Sequence, residues 1–437
     1  MNARALAIQV LARVRSTDAY LNLVLGAQLL EHELKDSRDP ALVTELCYGT
    51  TRRQMALDYA IAQVVDRRLD QLEDRVLAAL RIGAYQMFYM RIPRRAAVSE
   101  TVEALKQLRL ARSSGYVNAV LRRLAELEAL PLPKDAKPEL ELSIRESHPL
   151  WLVERWFRQF GRSRAEAMIV ADNQPPSLAV RANTLKVSRD DLLRRFEQAG
   201  LPATPTRYAG QGILLSGQGR PDQLPGYAEG LFQVQDEAAQ LVIEFADFPD
   251  GAKVLDACAA PGGKAFQLAQ RVQVVAADHR RTKLLKLEAE AKRLGVSERI
   301  RTQVHDATTP FPQQWKPFEG VLVDAPCSGL GTLRRHPELR YRLEEEDIRR
   351  LSTLQLKILE NCQSQVVPGG LLVYSVCSSD PEEGQDVIEM FFRSHPEFTA
   401  EISAAADRLP LLQGFLRTLP GPEGLDGFFA ARLRRLY

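Results

Sequence analysis

Gly320-Val321-Leu322-Val323-Asp324-Ala325-Pro326-Cys327 and Gly370-Leu371-Leu372-Val373-Tyr374-Ser375-Val376-Cys377 decide how this chain reads. Each is a short apolar run of the kind that lies in the middle of a parallel sheet, covered on both faces. Each run ends in a thiol. In open α/β sheets ligands bind beyond the carboxyl ends of the strands, so both cysteines are expected at one crevice. Two thiols there, beside a glycine-rich turn and several spaced aspartates, point to covalent chemistry on a substrate held next to a cofactor.

The turn is Val254-Leu255-Asp256-Ala257-Cys258-Ala259-Ala260-Pro261-Gly262-Gly263-Lys264, which reads as strand, glycine turn and helix start. Glycines let backbone N–H groups approach a ligand, and a helix N-terminus favours anionic atoms. The spacing is not G-x-G-x-x-G, so the dinucleotide fingerprint fails. Further strands are predicted at Lys253–Asp256, 272–278 and Ile300–Val304. They end at Asp256, Asp278 and Asp306, and Asp324 closes the fourth. Asp278 follows Asp256 by 22 positions, where an acid accepts from both hydroxyls of a ribose. Asp306 is placed to reach an adenine amino group. A buried carboxylate without a partner is costly, so four in register call for a ligand. A nucleoside bearing a positive charge suits them, which points to S-adenosylmethionine.

Helices are predicted at Arg281–Leu294 and 345–365, and an antiparallel hairpin joins 414–419 to 427–436 through Pro420-Gly421-Pro422-Glu423-Gly424. The last part of the chain thus reads as a doubly wound parallel sheet with one reversed strand. Residues 1–128 differ. Leu6, Val10, Leu11 and Val14 make one helical stripe, Val76, Leu77, Leu80, Ala84, Met87 and Phe88 a second, and Val117, Val120, Leu121 and Leu124 a third. Pro93 separates two helices. This is an all-α domain. Three prolines in Leu130-Pro131-Leu132-Pro133-Lys134-Asp135-Ala136-Lys137-Pro138 mark a linker. Helical residues Leu150, Val153, Trp156, Phe157 and Phe160 come next. Then come strands at 178–183, 202–206 and Gly212–Leu215 and a helix at 190–199, a small α+β part.

With 437 residues, 45% hydrophobic and 26% charged, the chain is long enough for two or three domains with their own cores. No run of 18 apolar residues occurs, so no membrane partner is expected. The start runs into Arg13 and Arg15 without an apolar signal region, and a cytoplasmic location is expected. Five scattered cysteines without a C-x-x-C pair indicate neither a disulfide framework nor a zinc site, and no metal is expected. Residues 1–145 hold 22 Lys and Arg against 18 Asp and Glu, the remainder 36 against 38. This permits a nucleic-acid partner without demanding one. Cys47 and Cys362 sit on apolar helical faces and read as core.

Asp324-Ala325-Pro326-Cys327-Ser328-Gly329, Tyr374-Ser375-Val376-Cys377-Ser378 and Ala259-Ala260-Pro261-Gly262-Gly263-Lys264 resemble the signature of RNA 5-methylcytosine methyltransferases. Tyr116-Val117-Asn118-Ala119-Val120-Leu121-Arg122-Arg123 resembles the NusB fold. Together with Phe232-Gln233-Val234-Gln235-Asp236 and Asp426-Gly427-Phe428-Phe429-Ala430, the whole chain is similar to bacterial 16S ribosomal RNA cytosine-C5 methyltransferases of the RsmB (Fmu/Sun) type. Val376 and Ala265 stand where that family usually has Thr, and His279 where an apolar residue is commoner.

The resemblance implies a NusB-like RNA-binding domain at 1–130, a linker at 131–145, and a small α+β (RRM-like) subdomain at 146–238. A Rossmann-like class I methyltransferase domain follows at 239–437. It implies S-adenosylmethionine held by Cys258, Ala259, Ala260, Pro261, Gly262, Gly263, Lys264, Asp278, Asp306 and Asp324. It also implies 16S ribosomal RNA as partner, no requirement for an oligomer, Cys377 as nucleophile and Cys327 in product release.

The residues alone leave the two thiols open. Cys377 precedes Asp380-Pro381-Glu382-Glu383, which reads as cap and first turn of a helix whose dipole favours a thiolate, although the two glutamates oppose it. Cys327 lies in a Pro-Cys turn, where DNA cytosine methyltransferases carry their nucleophile. Arg334, Arg335, His336, Arg340 and Arg342 are expected near RNA phosphates. Two other readings carry weight: methylation of a cytosine in transfer or large-subunit RNA, and a non-catalytic RNA-binding factor. The glycine pattern disfavours an oxidoreductase.

Overall fold

The computed structural model describes residues 1–32, 34, 36–133, 136–216 and 220–437. Lys134 and Asp135 of the expected linker lie outside the described residues. The chain forms two compact units, residues 1–175 with 333–342, and residues 176–332 with 343–437.

In the first unit the helices are α1 (Ala3–Thr17), α2 (Leu21–Glu31), α3 (Asp39–Arg52), α4 (Gln54–Ala62), α5 (Asp74–Phe88), α6 (Arg94–Gln107) and α7 (Ala111–Ala125). Then come α8 (Pro138–Glu146), α9 (Leu150–Phe160) and α10 (Arg162–Asp172). The Asn2 side chain caps α1 by accepting from the Ala5 amide at 2.8 Å. The three stripes converge: Leu6, Val10, Leu77, Leu80, Val117 and Leu121 are all buried in one core. Gly83 lets α5 approach α7, since a Cβ there would stand 2.6 Å from Leu121. Helix α8 takes up 138–145 of the linker expected at 131–145, with Pro138, the last residue of the proline-bearing stretch, in its first turn, where a missing N–H costs nothing.

The segment 333–342 belongs to this unit, and it corrects the expectation for Arg334, Arg340 and Arg342. Arg340 is fully buried and donates to the Asn173 side chain at 3.0 Å and the Ser147 carbonyl at 3.3 Å. Arg342 donates to the carbonyls of Asp18 at 2.7 Å and Ala19 at 2.8 Å. Arg334 is buried as well. Guanidinium groups engaged in this way tie the segment down and are not presented to phosphates.

The second unit begins with β1 (Leu178–Ala182), α11 (Arg189–Gln198), β2 (Ala203–Pro205), β3 (Gly212–Leu215) and β4 (Phe232–Val234). These make an antiparallel sheet in the order β2-β3-β1-β4. Asn183, just past β1, ties this small sheet to the larger one, donating to the carbonyls of Gly230 and Leu294 at 2.8 and 2.7 Å.

After α12 (Glu237–Ala246) the alternation starts: β5 (Lys253–Asp256), α13 (Gly263–Leu268), β6 (Gln273–Asp278), α14 (Arg281–Leu294), β7 (Ile300–Val304) and β8 (Phe318–Asp324). It continues with α15 (Glu345–Cys362), β9 (Val366–Val376), α16 (Gln385–Ser394), β10 (Phe398–Ala400), β11 (Leu411–Leu412), β12 (Phe415–Thr418) and β13 (Phe428–Arg435). The sheet order is β11-β12-β13-β9-β8-β5-β6-β7, with β10 also on β13. Strands β5 to β9 run parallel and β13 is the expected reversed strand. The order in which strands are added to the sheet reverses between β5 and β8, the switch point at which such sheets bind ligands. Asp256 and Asp324 end those two strands.

Candidate active site

The two signature cysteines meet. Parallel pairing sets Asp324 on β8 opposite Ser375 on β9, so the turns after both strands open at the same level. The sulfur atoms of Cys327 and Cys377 lie 3.3 Å apart, within S–H···S hydrogen-bond distance. The hydrogen bond to Cys377, burial and the nearby Glu383 charge hold the Cys327 thiol well above its ordinary pKa. Cys327 is therefore a thiol at neutral pH. Cys47 and Cys362 are buried core groups, as their apolar faces imply.

Lys264 stands beside the pair. Its ammonium donates to Asp324 Oδ2 at 2.9 Å and lies 5.0 Å from the centre of the Phe428 ring. Burial, the largest single influence, opposes its charge, but Asp324, Cys377 and Asp256 together raise its pKa. Ser375 donates to the other Asp324 oxygen at 2.8 Å. Sequence reading missed Ser375, although its place just before the second signature turn was a usable signal. The Phe428 role was hidden inside the quoted Asp426–Ala430 string, where a Phe on a strand reads as core.

The glycine turn has the shape the sequence implies. Ala257 and Ala259 hang from the neighbouring strands through their amides, at 2.9 Å to the Leu322 carbonyl and 2.8 Å to the Ala277 carbonyl. The Ala260–Pro261 peptide is cis. Gly262 has φ +116°, and a Cβ there would lie 2.4 Å from the Phe266 ring, so only glycine fits. A Cβ on Gly263 would meet nothing within 4 Å. That side of the turn is open space, as a backbone cradle for a ligand requires. Cys258 is half-buried at its start, its thiol pushed well up by burial.

The acids lie at three strand ends. Asp278 is 6% exposed, and one of its oxygens accepts from the Arg280 amide at 2.8 Å. Asp306 is exposed and accepts from the Thr308 amide and hydroxyl, which holds its pKa below the usual carboxylate value. Asp256 differs from both. It is 1% exposed, and neither carboxyl oxygen has a well-formed hydrogen bond, the Cys258 amide offering a weak one. Burial, with Asp324 adding to it, pushes its pKa up to about 8.

A carboxyl raised in this way lowers stability as pH rises. The unfolded chain loses this proton near pH 4 while the folded chain keeps it to about pH 8, so stability falls across that window by about 1.4 kcal/mol per unit. Asp256→Asn is therefore expected to remove on the order of 3 kcal/mol of the decline between pH 5 and pH 7. Urea unfolding of parent and variant at both pH values measures it. Parallel pH profiles for the two proteins would refute the assignment.

Among the described residues no cluster of His, Cys, Asp and Glu is arranged to hold a metal ion, and no helix is long and apolar enough to cross a membrane.

The comparisons with known proteins cover the same ground. The family described as 16S rRNA methyltransferase RsmB/F matches residues 245–434, the NusB family residues 1–126, and the RsmF/B-like ferredoxin-like domain residues 148–220. Ribosomal RNA small subunit methyltransferase B of Pseudomonas putida is 37% identical over 100% of this chain and 99% of its own length. The protein of that name from Pseudomonas syringae pv. tomato is 36% identical over 100% and 97%. The crystal structure of PH0851 superposes with a TM-score of 0.86 at 25% identity, covering 99% of each chain. Paired thiols at adjacent strand ends, the Ala-Ala-Pro-Gly-Gly-Lys turn and these full-length matches agree, and the chain belongs to the RsmB/F family of 16S rRNA methyltransferases.

Proposed function

We propose that the protein methylates carbon 5 of a cytosine in 16S ribosomal RNA through a covalent adduct on Cys377. The observation that carries this reading is the contact between Cys327 and Cys377 beside the Lys264–Asp324 pair. Carbon 5 of cytosine is too weak a nucleophile to take a methyl group unaided. Addition of the Cys377 thiolate forms a bond to carbon 6 and moves the ring electron pair to carbon 5. S-adenosylmethionine, when bound, supplies the methyl group as a sulfonium electrophile. The carbon-5 pair would form the new C–CH3 bond as the methyl–sulfonium bond breaks. The carbon-5 proton then passes to solvent, its electron pair forms the C5–C6 double bond, and the S–C6 pair returns to Cys377, restoring the aromatic ring. Cys327 assists that release.

The charges support this division of labour. Lys264 is within electrostatic reach of Cys377, the proposed nucleophile. Glu383 acts on Cys327 and favours the thiol. Asp324 would accept from the cytosine amino group. The donor set also fits the cofactor. Asp278 would hold the ribose, Asp306 would receive the adenine amino group, and residues 258–264 would pass beneath the amino-acid part, with Gly263 leaving room.

Labelled methyl transfer from S-adenosylmethionine to 16S RNA, free and within the small subunit, tests the reading, with the product base identified by digestion. 5-Methylcytosine at one position is the expected result. Label only in another RNA would remove the substrate, and label on any base atom other than carbon 5 would remove the chemistry.

A further inference from the structure

The turns that carry the two thiols are joined by one buried carboxylate. The sequence pattern places Glu383 in the first turn of a helix, three residues after the cap. Instead Pro381–Glu383 is a single 3₁₀ turn, and α16 starts only at Gln385. Glu383 turns inward and is fully buried. One oxygen accepts from the Ser328 amide at 2.8 Å and from the Gln355 side chain at 3.0 Å. The other accepts from the Ser378 hydroxyl at 2.6 Å and from the Ser328 hydroxyl. Ser328 follows Cys327 and Ser378 follows Cys377.

We propose that Glu383 is a positioning residue that ties the Cys327 turn to the Cys377 turn and thereby sets the distance between the two sulfur atoms. The role rests on the covalent reading given above. A carboxylate suits the role, because four donors converge on its two oxygens and such a group only accepts. The surroundings are built to hold it. Gln355 also donates to the Pro326 carbonyl at 3.0 Å, and the Tyr374 hydroxyl donates to the Glu383 carbonyl at 2.5 Å. Residues on α15, on β9 and in both turns therefore fix one acid. Glu383 touches neither sulfur, so its influence on the thiols passes through Ser328, Ser378 and its charge.

The distance can be read without any RNA. Diamide oxidises two neighbouring thiols to a disulfide, taking up two protons and two electrons to become the hydrazine, and the rate depends on how often the sulfurs meet. We would follow the Cys327–Cys377 peptide pair by mass spectrometry in the full chain and its variants Glu383→Ala, Ser378→Ala and Glu383→Gln. Single-turnover methyl transfer would be measured alongside.

Glu383→Ala is expected to slow disulfide formation about tenfold and methyl transfer on the order of 100-fold at unchanged KM, the size of effect that misplacement of a reacting group produces. Ser378→Ala, which keeps the carboxylate and removes one tie, should give the same signs more weakly. This guards against Glu383→Ala failing to fold. Glu383→Gln should restore much of both rates, because its side-chain oxygen still meets Ser328 and Gln355 and the serine hydroxyls can turn to accept. Unchanged disulfide rates in Glu383→Ala or Ser378→Ala would overturn the proposal, even if methyl transfer fell. Slower disulfide formation in a protein that leaves RNA cytosine unmethylated would uphold the positioning role and remove only the functional reading.

Discussion

Cys377→Ala is expected to abolish methyl transfer, and Cys327→Ala to leave the protein joined to its RNA. Without the Cys377 thiolate, carbon 5 is never activated, and the loss is of the size seen when a nucleophile is removed, several orders of magnitude in rate. Without Cys327 addition and methylation proceed but release stalls, so a protein–RNA species should persist on denaturing gels. The double variant should give neither methylation nor adduct. The 3.3 Å contact makes the two roles hard to separate by position alone. Charge marks one of them, since the nearby Glu383 favours the thiol form of Cys327. An adduct that forms in Cys377→Ala and not in Cys327→Ala would exchange the roles.

Gly331→Ala is the second large effect. Gly331 sits four residues after Cys327, its amide donating to the Cys377 carbonyl at 3.1 Å and its carbonyl accepting from Gly427 at 2.7 Å. A Cβ there would lie 1.9 Å from the Gly427 carbonyl oxygen and 2.5 Å from its carbon. Backbone meets backbone, so no side chain can move aside and both hydrogen bonds must give way. Overpacking of this kind costs about 3 kcal/mol, and displacing the turn that carries Cys327 should lower methyl transfer on the order of 100-fold. Gly263→Ala is the informative contrast. Its Cβ enters open space, so stability should stay within about 0.5 kcal/mol while cofactor affinity falls. Urea unfolding and calorimetry on both variants measure the pair. A Gly331→Ala protein as stable and active as the parent would contradict the packing described.

Much of this site was legible because its markers are local. A short apolar strand ending in Asp or Cys states both its burial and the place of its last side chain, and so Asp278, Asp306, Asp324, Cys327 and Cys377 could be read from spacing. The α-helical unit was legible from the stripe through Leu77, Leu80 and Ala84. Side-chain direction at a turn was not. Glu383 next to Asp380-Pro381 has the pattern of a helix start, and only the serines of two distant turns make it face inward. Arg340 failed for a related reason. A cluster of cations near a thiol reads as phosphate contact, whereas Arg340 meets Ser147 and Asn173, which lie more than 160 positions away. Asp256 was visible as a strand end, but its lack of a well-formed hydrogen bond depends on how tightly its neighbours close around it.

The excursion at 333–342 has a bearing on how such a chain can be divided or inherited. A fragment beginning at residue 176 would hold the whole parallel sheet and both cysteines, yet it would also carry Leu333, Pro337 and Arg340, buried groups whose surroundings belong to residues 1–175. The matching amino-terminal fragment would lack the strap that Asp18, Ser147 and Asn173 receive. Neither piece is a self-sufficient cassette. A single crossover between two relatives would mismatch strap and receptor, so exchange by recombination would have to replace two separated stretches at once. The helical part and the sheet are therefore expected to change hands together and to drift together.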